Sequence, residues 1–371
     1  MPEPDKPRFR ADHVGSLLRP PELLQAREKF KAAQITAQQL AEAEDKAISD
    51  AVAMQQDIGL PLVTDGEFRR EMFHRDFLEK FDNVEVTKGS ITMRFHSAEG
   101  EIDQTPFAMK VTGRLNRPKP IFVDAFKYLH DVADVTPKLT IPSPTTLHFR
   151  GGRAGVDIKA YPTLEEFYHD LARVYREEVK DLADAGCRYL QIDEVNLAFL
   201  CDPLLREQVK TIGENPETLP LTYAKLINDS IASRPADMTV GLHLCRGNAR
   251  GYWIAEGGYE PVADIMFNNI DVDSYFLEYD SPRAGGFEPL RHVPNGKTVV
   301  LGLVTTKNGA LESKDALKRR IDEAAKYVPL QQLALSPQCG FASDSGGNKI
   351  SRDEQWAKLR LVAEVAREVW G

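Results

Sequence analysis

Hydrophobic positions along this chain switch between two periods. Leu40, Ala43, Ala47, Ala51 and Met54 recur at helical spacing, opened by a capping box in form, Thr36-Ala-Gln-Gln39, and ended by Gly59. A compact β-forming run follows at once, Leu60-Pro-Leu-Val-Thr-Asp-Gly66. The succession returns at Thr163-Leu-Glu-Glu166, which opens a helix with Phe167, Leu171, Val174 and Leu182 inward and Gly186 at its end. The strand Cys187-Arg-Tyr-Leu-Gln-Ile-Asp-Glu-Val195 comes next. Further strands are predicted over residues 9–17 and from Leu139, in Met238-Thr-Val-Gly-Leu-His-Leu-Cys-Arg-Gly247, in Tyr275-Phe-Leu-Glu-Tyr-Asp280, in Thr298-Val-Val-Leu-Gly-Leu-Val304 and in Gln332-Leu-Ala-Leu-Ser336. Helices lie between them: one has Pro261 near its start, one begins at about Ser313, and the last opens with Ser351-Arg-Asp-Glu354 and carries Trp356, Leu359 and Val362. Eight strands alternating with helices predict an α/β fold, a single (β/α)8 TIM barrel.

Residues 84–115 break that rhythm. Alternation at Ile91, Met93 and Phe95, and again at Phe107, Met109 and Val111, predicts an antiparallel β insertion after the second βα unit, overhanging the barrel. The chain has 371 residues, 42% of them hydrophobic, which is enough for one large core, so residues 1–371 are expected to form a single domain.

A formal net charge of −9 and the lack of a basic, aromatic-laced stretch argue against nucleic acid as a partner. Residues 1–8 carry no apolar signal-peptide core, and no apolar run is long enough to span a bilayer. A cytoplasmic protein with a small-molecule ligand and no membrane partner is expected. Whether it forms a homo-oligomer is left open. Four cysteines are too few for a disulfide framework. Cys187 and Cys201 read as packed thiols.

The other two cysteines carry chemistry. His243 and Cys245 stand two apart on a strand, so both point to one face and can grip one ion. Glu278 and Cys339 each follow a β-like run into a loop, where a barrel collects its functional groups. Zinc accepts all three ligand types. Elsewhere, Ser16 beside Gly15 can offer a hydroxyl and backbone N–H groups to a carboxylate. Gln191 and Asp193 share a strand face at its carboxyl end. The segment Phe68-Arg-Arg-Glu-Met-Phe-His-Arg75 reads as a solvated charge run. The proline-broken stretch after Leu139 is expected to expose Ser143, Thr145, Thr146 and His148, with His148 a hydrogen-bonded structural residue.

The quartet His243, Cys245, Glu278 and Cys339, with Val14-Gly-Ser16, Asp65-Gly-Glu67 and Gln191-Ile-Asp-Glu194, resembles the cobalamin-independent methionine synthase family. The likeness is to its catalytic carboxyl-terminal barrel and covers nearly the whole chain. It implies that His243, Cys245, Glu278 and Cys339 bind zinc, while Ser16, Glu67 and Asp193 hold the amino acid part of homocysteine. The implied reaction transfers a methyl group from methyltetrahydrofolate or another carrier to the homocysteine thiol.

Three departures concern the donor. Long family members have a second, amino-terminal barrel that helps to bind folate, and this chain has no room for one. Their tryptophan near the folate is replaced here by Phe149 or Arg150, in Pro144-Thr-Thr-Leu-His-Phe-Arg150. Their histidine acid falls at Val304-Thr-Thr-Lys-Asn308, where Lys307 is the nearest ionisable group and, with Asp193, the candidate for catalysis. Three other readings remain. One is a zinc-dependent transferase acting on another thiol, of the epoxide:coenzyme M type. The second is a metal-free barrel of the uroporphyrinogen decarboxylase type, and the third a non-catalytic zinc-stabilised binding protein.

Overall fold

The computed structural model describes residues 9–97 and 100–371, so the expectation about residues 1–8 lies outside it. Where the sequence pattern is strongest, the elements form as their caps dictate. The helix Ala37–Asp57 starts with both bonds of the Thr36/Gln39 capping box, and Arg352–Trp370 starts with both bonds of the Ser351/Glu354 box. In the helix Leu164–Asp184, Thr163 accepts from the Glu166 N–H, and that bond caps the helix without a reciprocal one.

Twelve strands occur among the described residues: β1 (Leu62–Val63), β2 (Val84–Lys88), β3 (Met93–Ser97), β4 (Gly100–Gln104), β5 (Phe107–Val111), β6 (Thr136–Pro137), β7 (Leu139–Pro142), β8 (Tyr189–Glu194), β9 (Thr239–Leu244), β10 (Ser274–Glu278), β11 (Thr298–Val304) and β12 (Leu333–Pro337). Six of them form one parallel sheet in the order β12-β11-β10-β9-β8-β7, with helices alternating between them. All residues of β7, β8, β9, β10 and β12 are buried, as expected for a parallel sheet covered on both faces.

The remaining two predicted strands are less regular. Residues 9–17 touch β12 through one parallel bridge, Ala11 with Leu335, and β1 is a two-residue pair with β6. Prolines explain part of this, because Pro61 and Pro137 have no N–H to give a ladder. Side chains take over instead: the Lys138 ammonium donates to Asp12 at 2.7 Å and to the His13 carbonyl at 2.7 Å, and the Thr64 hydroxyl donates to the Gly15 carbonyl.

The stretch from 84 to 111 makes two antiparallel ladders, β2 with β5 and β3 with β4. His96 pairs with Trp253 through both backbone bonds, which ties this excursion to the loop beyond β9. Two expectations fail on burial. The segment Phe68–Arg75 is solvated only in part: Arg70 and His74 are 2% and 4% exposed, and the Arg70 guanidinium donates to the Thr140 carbonyl. Phe68 is buried with them, whereas Glu71 and Arg75 stay at the surface. Ser143, Thr145, Thr146 and His148 are likewise buried, because the short turn Thr146–Phe149 folds under its neighbours. There Thr145 donates to Glu194, and His148 meets the Tyr223 hydroxyl at 2.9 Å.

Lys138 and Asp12 are both essentially inaccessible, so neither charge can be left without the other. Lys138→Met is expected to lower stability in urea unfolding by about 3–5 kcal/mol, the usual cost of stranding a buried carboxylate. Adding Asp12→Leu should restore part of that loss; equal stability of wild type and the single variant would show that the pair does not hold the amino-terminal segment.

Candidate metal centre

The parallel sheet delivers its polar side chains at the carboxyl ends of its strands. Asp193 and His243 are cross-strand partners on β8 and β9, and Cys245 follows His243 by two residues on the same face. Glu278 is the last residue of β10, and Cys339 lies two residues beyond β12. One donor atom each from His243, Cys245, Glu278 and Cys339 lies within 4.8 Å of all the others, and all four residues are buried.

This donor set fits zinc on its own geometry. The two sulfurs stand 3.5 Å apart as free thiols, and two thiolates sharing one tetrahedral zinc lie about 3.8 Å apart. His243 Nε2 is buried with no hydrogen-bond partner and sits 3.7 Å from Glu278 Oε1. A buried orphan nitrogen facing two sulfurs and a carboxylate is what a cation would satisfy. Asp193 Oδ1 lies 3.3 Å from the other ring nitrogen, Nδ1, the position from which a carboxylate fixes a metal-binding imidazole. Glu278 is oriented in turn by the Gln338 amide at 3.0 Å and the Arg246 N–H at 3.1 Å.

Without a metal the four groups hold protons in a lopsided way. Burial alone would depress the His243 imidazole, but the Asp193 and Glu278 carboxylates outweigh it and lift it to about 10. Burial would raise Glu278, yet His243, Lys307 and Arg283 bring it down to about 2. The contact with Cys339, together with burial, keeps the Cys245 thiol well above its ordinary range. Cys339, on the other side of that contact, is lowered.

His243, Cys245 and Cys339 open onto a pocket of about 290 Å³ that Val14, Ser16, Glu67, Phe73 and Asp193 also line. Ser16 Oγ accepts from the Ala342 N–H at 3.3 Å, which leaves its own proton for a ligand. Gly340 is dictated by this approach, since a Cβ there would stand 1.9 Å from Ser16 Oγ. Glu67 adopts φ of 60°, a conformation that costs about 1 kcal/mol in a side-chain-bearing residue. The Asp65 carboxylate accepts from its N–H, and Arg19 donates to its carbonyl. One Glu67 oxygen accepts from Thr140, while the other is buried and unpartnered. Burial raises the Glu67 carboxyl, with the Asp193 charge adding to the rise and Arg70 opposing it. Two neighbouring carboxylates with spare acceptors suit a cationic group.

A second, apolar cavity of about 660 Å³ meets this pocket at Phe73, Cys245 and Ser343. The excursion roofs it with Phe95 and Phe107. Arg150 lines it, whereas Phe149 is fully buried against Phe199, so Arg150 is the residue presented where the resemblance leaves a choice. Lys307 lies apart from both cavities, lining a third, with its Nζ buried and unpartnered. The sequence reading missed Arg19, Phe73, Gln338 and Ser343. Gln338 and Ser343 flank the Cys339 turn, and only that proximity could have pointed to them.

Comparison with known proteins places this geometry among relatives. Residues 9–368 match the family described as cobalamin-independent synthase, catalytic domain. An uncharacterised Bacillus subtilis protein, YxjH, is 46% identical over 98% of this chain and 96% of its own length. A Bacillus velezensis 5-methyltetrahydropteroyltriglutamate–homocysteine methyltransferase is 23% identical, and the match spans 96% of this chain but 42% of that protein. Among solved structures, a Listeria monocytogenes protein provisionally named a vitamin-B12-independent methionine synthase superposes with a TM-score of 0.78 at 37% identity, covering 99% of both chains.

In the metal-free protein the raised His243 value has a definite consequence. Its contribution to stability is complete below pH 6.5 and is lost as pH rises through about 10. The melting temperature of metal-free protein is therefore expected to fall across that window, relative to zinc-loaded protein, whose imidazole would bind the metal in its neutral form and so release no proton in that range. Parallel curves would contradict the His243 assignment.

Proposed function

The chain belongs to the cobalamin-independent methionine synthase family in its catalytic-domain form, and on that premise we propose that it is a zinc-dependent methyltransferase converting homocysteine to methionine. One observation carries the proposal: two thiols, an imidazole and a carboxylate converge within 4.8 Å at a pocket that also holds a serine and two carboxylates. Zinc, when bound by His243, Cys245, Glu278 and Cys339, holds a substrate thiol deprotonated at neutral pH and so makes its sulfur nucleophilic. Glu67 and Asp193 receive the substrate ammonium, and the Ser16 hydroxyl its carboxylate.

The methyl donor, methyltetrahydrofolate or another carrier, enters through the aromatic cavity that meets the thiol pocket at Cys245. In the transfer the sulfur–carbon bond forms, the donor–carbon bond breaks, and the thiol proton ends on the donor's leaving atom. Asp193 is assigned as the carboxylate that also sets the His243 ring, whereas Lys307, the candidate from the sequence, lines neither of these two cavities and is given no part in the transfer. This reading takes the strand segments together as one (β/α)8 barrel domain in a cytoplasmic, reducing setting. A transferase for a thiol without an amino group leaves Glu67 and Asp193 nothing to bind, and a metal-free barrel leaves the four donors without a role.

Mass spectrometry of zinc-loaded protein supplied with homocysteine and a panel of methyl donors is expected to detect methionine. Cys245→Ser and Cys339→Ser should each lose zinc and turnover together. Glu67→Gln should keep zinc while raising KM for homocysteine by about tenfold to a hundredfold, the effect of removing a charged hydrogen-bond acceptor. Full turnover by a metal-free variant would reject the mechanism.

A further inference from the structure

Besides Cys245, the aromatic cavity carries three ionisable side chains in its wall: His74, Arg150 and Asp344. Arg150 is committed. Its guanidinium donates to the Phe107 carbonyl at 3.1 Å, and burial brings it down only to about 10, so it stays a cation. Asp344 is half-buried, and one of its carboxylate oxygens accepts from the Gly346 N–H at 2.7 Å within its own turn. His74 differs from both. Its ring belongs to the cavity wall, the residue is 4% exposed, and its Nδ1 is buried without a hydrogen-bond partner. A buried imidazole with an unsatisfied nitrogen, next to a space that must receive a substrate, has no evident structural purpose.

The ring is nevertheless held in place. It lies flat against Phe107 of β5, with centroids 5.4 Å apart and 7° between the planes, and tilts against Phe73 at 4.5 Å. Phe73 lines the thiol pocket as well, and its N–H is bonded to the Ser343 carbonyl in the loop that follows Cys339. His74 is therefore mounted beside the junction of the two cavities and tied to the turn that carries a metal ligand. Burial drives its imidazole well below the ordinary range, with the Arg150 and Arg75 charges adding to the fall, so at neutral pH the ring is uncharged and keeps one N–H.

We propose that His74 is the catalytic residue that hydrogen-bonds the leaving atom of the methyl donor and protonates it, and that this atom is the nitrogen of an uncharged amine-type donor. The assignment rests on the methyl-transfer reading. As the sulfur–carbon bond forms, the carbon–nitrogen bond breaks and its electron pair goes to nitrogen. The imidazole gives that nitrogen its N–H proton and takes up, through solvent, the proton the substrate thiol has lost. A nitrogen anion is a far stronger base than an imidazole anion, so the neutral ring is acid enough for the step. A sulfonium donor leaves as an uncharged thioether and needs no proton, and before transfer it carries a charge of the same sign as Arg150.

Steady-state methionine formation by the zinc-loaded protein, with methyltetrahydrofolate as the amine donor and trimethylsulfonium as the sulfonium donor, tests this. His74→Phe keeps a flat ring against Phe107 but has no N–H. It is expected to lower kcat with the amine donor by about a hundredfold, the usual contribution of a general acid, while zinc content and KM for homocysteine stay as in wild type. Any turnover of the sulfonium donor should persist in that variant. His74→Gln has an N–H but no ring, and is expected to recover part of the loss. A purely packing role predicts the opposite order, with phenylalanine the better replacement. Undiminished turnover of the amine donor by His74→Phe, the opposite order of the two variants with circular dichroism intact in both, or methionine formed from the sulfonium alone would each overturn the assignment. No methionine from any donor in the wild type would refute the methyl-transfer reading, and the role of His74 with it.

Discussion

Two sulfurs, an imidazole nitrogen and a carboxylate oxygen are held together inside a protein core, and this arrangement constrains everything around it. Free of metal, the cluster crowds a buried carboxylate against an imidazole and a pair of thiols in contact with each other, and one ring nitrogen has nothing to bond. A divalent cation resolves all of these at once. The surrounding chain is committed to keeping the donors in place: Asp193 faces one side of the imidazole, Gln338 and the Arg246 N–H pin the glutamate, and the Cys245 N–H is fixed to the Glu194 carbonyl of the adjoining strand. Catalytic zinc sites differ from structural ones in leaving a position that substrate can take, and here three of the four donors face an open pocket.

Around that centre the three cavities differ in chemistry. The thiol pocket offers carboxylates and a hydroxyl, the second cavity aromatic faces, and the third a surplus of positive charge. Cys245 lies at the boundary of the first two, and Arg283 and Lys307 lie between Glu278 and the third. A reaction joining two substrates needs such a division, with the reacting atoms brought together only where the cavities meet. The strained Glu67 and Arg250 backbones stand at the edges of two of them, which is where stored strain is commonly found.

The metal ligands were legible because their signal is local. His243 and Cys245 are joined by the two-residue period of a strand, and Glu278 and Cys339 stand at the ends of strongly apolar runs. Helices with complete capping boxes were legible for the same reason. Residues 9–17 and β1 were overdrawn as strands, since prolines and the buried Lys138–Asp12 pair replace ladder hydrogen bonds that the apolar pattern alone implies. The Phe68–Arg75 run misled in the opposite direction. Arg70 is buried because it donates to the Thr140 carbonyl and hydroxyl and lies over the Phe122 ring, contacts made by residues some fifty or seventy positions away. Nor could local pattern choose between Phe149 and Arg150, because only the packing of Phe199 decides which one faces the cavity.

The most direct measurement is zinc-edge X-ray absorption of the loaded protein with and without homocysteine. The account predicts two sulfur neighbours at about 2.3 Å in the resting protein and three when homocysteine is saturating. A protein that retains no zinc, or a sulfur count that stays at two with homocysteine bound, would contradict it.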